Sequence, residues 1–275
     1  IPSTDSTNLT LAGNAVLTLG PNTTFAGDVV ADAGGICLSG ATFIASAIIT
    51  KNGTSNDRGT GGNIFNGPTA ITNTGTGYLL MCNNYPDTFN TEVTFSSMNT
   101  GLIYPCYNGS GSVFNENIIV NSIVGGGVRI GASSGTSSIA NTKHVIVGQE
   151  GFNAGTLILG NFTSEDTSAF ALTLSGSSVL TLGPNSSFAG EFTAEAGGFC
   201  LNGVTMNRSC IITKTGSTND QGTGSNIFNG PVSFVNNGTG YLLMCASQND
   251  IFNDEVTFNS KNSGIIYSAY RGTGT

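Results

Sequence analysis

The chain has 275 residues, with 16 acidic against 8 basic side chains, a formal net charge of -8, 40 Gly, one His, no Trp and only 9% charged residues. A globular domain usually carries about a quarter charged residues, so polarity here rests on Asn, Thr, Ser and Gly, and basic residues placed singly offer no stripe to neutralise phosphates, which excludes nucleic acid as a partner. Hydrophobic residues reach 38% but come in short runs, far below the roughly 20 that cross a bilayer, so no membrane insertion is expected in this segment.

The opening Ile1-Pro2-Ser3-Thr4 has no Met and neither a basic nor an apolar leader region, and reads as a trimmed start. The motif Leu17-Thr-Leu-Gly-Pro-Asn22 then leads to Phe25, first of the series Phe25, Phe43, Phe65, Phe89, Phe114 and Ile139, which are 18, 22, 24, 25 and 25 residues apart. That spacing predicts successive rungs of one structure. Asn66, Asn90 and Asn115 directly follow three of these phenylalanines, which predicts a ladder of asparagines in the same register. Between the rungs, Glu92-Val-Thr-Phe95 and Asn117-Ile-Ile-Val120 alternate like short strands, bounded by Gly, Asn and Ser clusters that favour turns.

Further along, the chain repeats itself. Leu180-Thr-Leu-Gly-Pro-Asn185, Asn226-Ile-Phe-Asn-Gly-Pro231, Tyr241-Leu-Leu-Met-Cys245 and Glu255-Val-Thr-Phe258 each copy an earlier motif at an offset of 163. The rung pairs Phe228-Asn229 and Phe252-Asn253 keep the same offset. This divides the chain into a first unit, residues 1-163, and a second, truncated unit, 164-275, continuous with it. Seven rungs per unit average about 23 residues, which predicts an all-β fold, a right-handed parallel β-helix (β-solenoid) with three short strands per coil. Ends that lack visible caps, together with the truncated second unit, point to an excerpt from a longer array.

Six cysteines lack CxxC spacing and have one histidine in the whole chain for company, so no zinc site is predicted. Cys82 and Cys106 each lie 17 residues after a rung phenylalanine and so stack about 4.8 Å apart in neighbouring coils; both a disulfide and a pair of buried thiols fit. Cys200 and Cys210 suit core packing better than a bond, which would need the coil to fold back. The acidic pairs Asp28 with Asp32 and Glu191 with Glu195 are the candidates for acid-base work on a glycan. The loops Asn52-Gly-Thr-Ser-Asn-Asp57 to Thr60 and Thr215-Gly-Ser-Thr-Asn-Asp220 to Thr223 gather oxygen atoms, but one carboxylate each suits an outward turn better than Ca²⁺. Neither catalysis nor a cofactor is expected. Tyr78, Tyr104, Tyr107 and Tyr270 are candidate outward contacts.

The motifs Asn63-Ile-Phe-Asn-Gly-Pro68, Thr74-Gly-Thr-Gly-Tyr-Leu-Leu80 and Asp87-Thr-Phe-Asn-Thr-Glu-Val-Thr-Phe95 resemble tandem repeats in giant cell-surface adhesins and appendage proteins of Bacteroidota, of the type IX secretion substrate type. What the resemblance implies is an extracellular or cell-surface chain whose repeats build a stalk or filament used in adhesion, gliding or capture of other cells. Its implied partners are copies of itself in a lateral bundle or filament, with surface glycans or another cell at a distal tip. A glycan-binding or polysaccharide-cleaving β-helix is the first alternative. The Thr72-Asn-Thr-Gly-Thr76 run suggests a second, an ice-binding solenoid, although such a face should recur in every coil.

Overall fold

The computed structural model describes residues 5-269. Within them the chain is all-β without a helix, and parallel strands stack coil on coil into a β-solenoid of about 12 turns with roughly 22 residues per turn. Each coil has three faces. Face I begins with Thr7–Thr10 and runs through seven strands to Val145–Phe152, then resumes as a five-stranded sheet from Phe170–Thr173 to Val256–Ser260. Face II starts with Val16–Leu19 against Gly35–Leu38, continues as seven strands from Asp57–Arg58 to Gly198–Leu201, and closes with three more that end at Ile266–Tyr267. Face III is one unbroken sheet of eleven strands, from Thr23–Phe25 to Ile251–Phe252.

The alternation in the sequence sets which side chains turn inward. In Val29–Ala33 the buried residues are Val29, Ala31 and Ala33, while Val30 is exposed; an extended strand does this because successive Cβ atoms point to opposite faces. Small residues mark the corners for a steric reason. A Cβ on Gly77 would stand 1.9 Å from the carbonyl oxygen of Ser55 in the coil beneath, so only glycine lets the backbones stack there.

Face III also measures the unit. Register pairing carries Phe25 through Phe43, Phe65, Phe89, Phe114, Ile139 and Ser164 to Phe188, its counterpart at the 163 offset. Those seven steps advance roughly 34 Å at about 4.8 Å per strand. Faces II and III pass through the join between the two copies without a break, whereas face I is interrupted there, after Val145–Phe152.

Candidate functional site

In this fold the residues singled out by sequence form columns parallel to the long axis rather than a cleft. The rings of Phe25, Phe43, Phe65, Phe89 and Phe114 stack inside face III, with successive centroids 5.3, 4.9, 4.7 and 4.9 Å apart. Phe228 and Phe252 repeat the contact at 5.1 Å. Between the two stacks the column carries Ile139, Ser164, Phe188 and Met206. Ser164 would leave a gap; Phe162, two residues earlier on the same face of its strand, tilts against Phe188 at 6.1 Å.

The asparagines after these rings turn outward. Asn90 donates its amide to Asn66 Oδ1 at 2.7 Å, and Asn115 to Asn90 Oδ1 at 2.7 Å. In the second copy Asn253 donates to Asn229 at 2.8 Å, and Asn229 to Asn207 at 3.0 Å. Asn90 and Asn229, in the middle of each run, thus have donor and acceptor both used by asparagine neighbours, the arrangement a parallel in-register stack favours.

Two inward polar columns are not marked by strand alternation in the sequence. At the corner leaving face I, Lys51, Asn73 and Ser97 lie one above another, and each bonds the turn that follows it. Lys51 Nζ donates to Gly53 O at 2.8 Å and Gly34 O at 3.3 Å, Asn73 Nδ2 to Gly77 O at 2.8 Å, and Ser97 Oγ to Gly101 O at 2.8 Å. These side chains satisfy carbonyls that leave the strand ladder at the corner. Lys51 is fully buried and lies 3.4 Å from Asp57, whose carboxylate also accepts from Ile36 N and Ser55 Oγ. Lys214 and Asp220 repeat the pair at 2.6 Å. The loops expected to display Asp57 and Asp220 outward therefore turn both carboxylates inward, because each is the counter-ion of a buried ammonium group. That placement removes them as calcium ligands.

Entering face III, the second column holds Asn63, Asp87 and Ser112. Asn63 accepts from Ala41 N at 3.0 Å, Asp87 Oδ1 accepts from Asn63 N and Nδ2 at 2.8 and 2.9 Å, and Ser112 Oγ accepts from Asp87 N at 3.1 Å. Asp87 has no cation beside it and its Oδ2 has no hydrogen-bond partner, so burial pushes its carboxyl from 3.8 up to about 6. Because the folded state holds this proton more tightly than the unfolded chain, the site's contribution is fully present below about pH 4 and is lost as pH rises through about 6. Asp87→Asn, which imitates the protonated acid, should be more stable than the parent by about 3 kcal/mol at pH 7.5, with the difference vanishing near pH 4. Denaturation midpoints at the two pH values check this. Asp250 occupies the equivalent place beside Asn226, and burial raises its carboxyl too.

Cys82 and Cys106 stand in neighbouring coils as separate buried thiols. Cys82 Sγ donates to Pro105 O at 2.8 Å, and Cys106 Sγ lies 3.4 Å from both Gly109 O and Thr136 O. Cys210 is buried in face I while Cys200 is half-buried on face II. Of the acidic pair, Asp28 accepts from Ser46 N and Oγ at 3.1 and 2.6 Å, which holds its carboxyl below the usual range, and Asp32 accepts from Asn52 at 2.6 Å.

Tyr78, Tyr104 and Tyr107 are half-buried on the outside of face II and meet edge-on, at 5.8 and 5.4 Å. The guanidinium groups of Arg58 and Arg129 lie 5.8 Å from the rings of Tyr78 and Tyr104, a favourable cation–π distance. Tyr270 lies outside the described residues. Among the described residues no three His, Cys, Asp or Glu side chains gather as a metal site, and no helix is long and apolar enough to cross a membrane. No protein family, curated protein or solved structure matches this chain.

Proposed function

We propose that this chain is a structural repeat segment of a long secreted fibrous surface protein, forming the stalk or filament of an adhesive extracellular appendage. The observation that carries the reading is the continuity of face III, whose eleven strands pass from one copy into the next in register. Every coil adds backbone hydrogen bonds and core side chains of its own, so length grows without a larger core. Near-identical columns at a fixed axial interval also suit lateral packing of several copies into a bundle. The role is mechanical rather than catalytic, in keeping with acidic side chains engaged by Ser46, Asn52, Lys51 and Lys214.

Electron microscopy of the native assembly, with the intact subunit mass measured alongside, tests this. The expected result is a filament whose axial repeat is roughly 34 Å or a multiple of it, built from subunits many times heavier than 28.0 kDa. Compact monomers near 28.0 kDa would overturn the reading.

A further inference from the structure

Face II gathers two guanidinium groups on its outer side. Its neighbouring strands Asp57–Arg58, Leu79–Leu80, Leu102–Cys106 and Gly127–Ile130 set Arg58 three coils from Arg129, roughly 14 Å along the axis. Tyr78 and Tyr104 lie between them. Arg58 Nε donates to Tyr78 Oη at 2.8 Å, and each guanidinium stands over a tyrosine ring at 5.8 Å. The two groups are thus held in place without a carboxylate: the four ion pairs among the described residues use Lys51, Lys143, His144 and Lys214. In a chain with 16 acidic and 8 basic side chains, that leaves two rigid forks of donors, the geometry that suits a carboxylate, with none to meet.

The complementary groups stand on the opposite edge of the rod. In a coil of three faces, the corner between faces III and I lies across from face II. At that corner Asp28 precedes Val29 and Glu92 precedes Val93, and the register runs from Val29 through Ala47 and Thr69 to Val93. Asp28 and Glu92 are therefore also three coils apart, the spacing of the two arginines. Both are exposed, and neither joins an ion pair among the described residues. Between them the edge is uncharged and partly apolar, with Ser46, the exposed Pro68 and Ile44, which is 47% exposed. The two surfaces thus match group for group, charge at either end and apolar area between.

We infer that face II of one copy docks on the III–I edge of a second, parallel copy shifted by one coil, with Arg58 against Asp28, Arg129 against Glu92 and the tyrosines on Ile44 and Pro68. This deepens the proposed lateral packing, on which it rests, by naming the two surfaces that meet. Translation alone brings them together, because face and edge point in opposite directions. The contact is heterologous, so copies add in series or close into a ring. It belongs to the first unit: the second has Gln221 in place of Arg58, and Arg208 in place of Ala45 on the edge between Glu191 and Glu255. A single contact is weak, since exposed ion pairs contribute little, and tandem repetition multiplies it.

The test is sedimentation equilibrium of the 275-residue chain under reducing conditions, at concentrations up to about 1 mM. Reversible self-association is expected. Arg58→Gln/Arg129→Gln should weaken it about tenfold; the second copy already carries glutamine at the first of these places, where Gln221 keeps the bond to a tyrosine hydroxyl. Arg208→Gln/Lys261→Gln, which changes the net charge equally at exposed positions elsewhere, should leave it unchanged. Chains carrying Arg58→Glu/Arg129→Glu or Asp28→Lys/Glu92→Lys should not associate alone but should associate with each other, circular dichroism confirming that both are folded; if either fails to fold, the glutamine variants decide. Monomers at every concentration, equal weakening by the control pair, or folded reversed chains that do not associate on mixing would overturn the inference. So would a monomeric chain that binds polygalacturonate saturably through Arg58 and Arg129. Native filaments whose subunits associate equally well as Arg58→Gln/Arg129→Gln would contradict this contact alone, whereas compact native monomers near 28.0 kDa would contradict the filament reading whatever the variants do.

Discussion

Replacing Lys51 by methionine is expected to destabilise the chain by about 3 to 5 kcal/mol. The ammonium group is fully buried and holds two corner carbonyls and Asp57. Methionine fills similar space but leaves Asp57, 4% exposed, as a buried charge without its counter-ion. Chemical denaturation followed by circular dichroism checks the loss, and the double change Lys51→Met/Asp57→Leu should recover part of it, because it removes the uncompensated buried charge while still leaving Ile36 N and the two corner carbonyls without those partners. Lys143, partly exposed and paired with Glu116 at 2.6 Å, is the control: its replacement should cost no more than about 1 kcal/mol. Equal effects at positions 51 and 143 would show that Lys51 is not buried.

The aromatic column makes the second large prediction. Phe89 sits between Phe65 at 4.7 Å and Phe114 at 4.9 Å, with Phe95 edge-on at 5.8 Å. Phe89→Ala should cost about 3 to 5 kcal/mol through lost transfer energy and the cavity left between two rings that cannot close on each other. Because each coil is coupled to its neighbours, the loss should appear as a lowered midpoint for the whole rod or as a separate early transition at the damaged coils. Asn90→Ala, one residue away but on the outer surface, should cost about 1 kcal/mol. The contrast between adjacent residues measures how far packing outweighs the outer amide column; a reversed order would mean that the register of face III is wrong.

The coil register was legible from sequence because one large residue type marks it. Phenylalanine at near-constant spacing, followed by asparagine, fixes both the inward column and its outward neighbour, since strand alternation leaves no other choice once one of them is buried. Alternation does not survive a corner. Asp57 follows the turn after Lys51, where the chain changes direction, so its facing depends on Lys51, which reads in the sequence as an isolated charge. A signal was present: Lys51, Asn63 and Asp87 all return at the 163 offset, as Lys214, Asn226 and Asp250, in a chain with only 9% charged residues. Ser164 in the phenylalanine column and the bulge at 148-151, where Val147 pairs with Val120 and Phe152 with Ser122, were less accessible. Both lie in the stretch between the two aligned copies, where the repeat offers no second example to compare.

Oriented diffraction is the most direct measurement of the central claim, that parallel coils stack along the long axis of a filament. Aligned native filaments should give a reflection at about 4.7 to 4.8 Å on the meridian, because the strands lie across the axis, with an axial repeat of roughly 34 Å from seven coils per unit. A strand-spacing reflection on the equator, which places the strands along the axis, would contradict it.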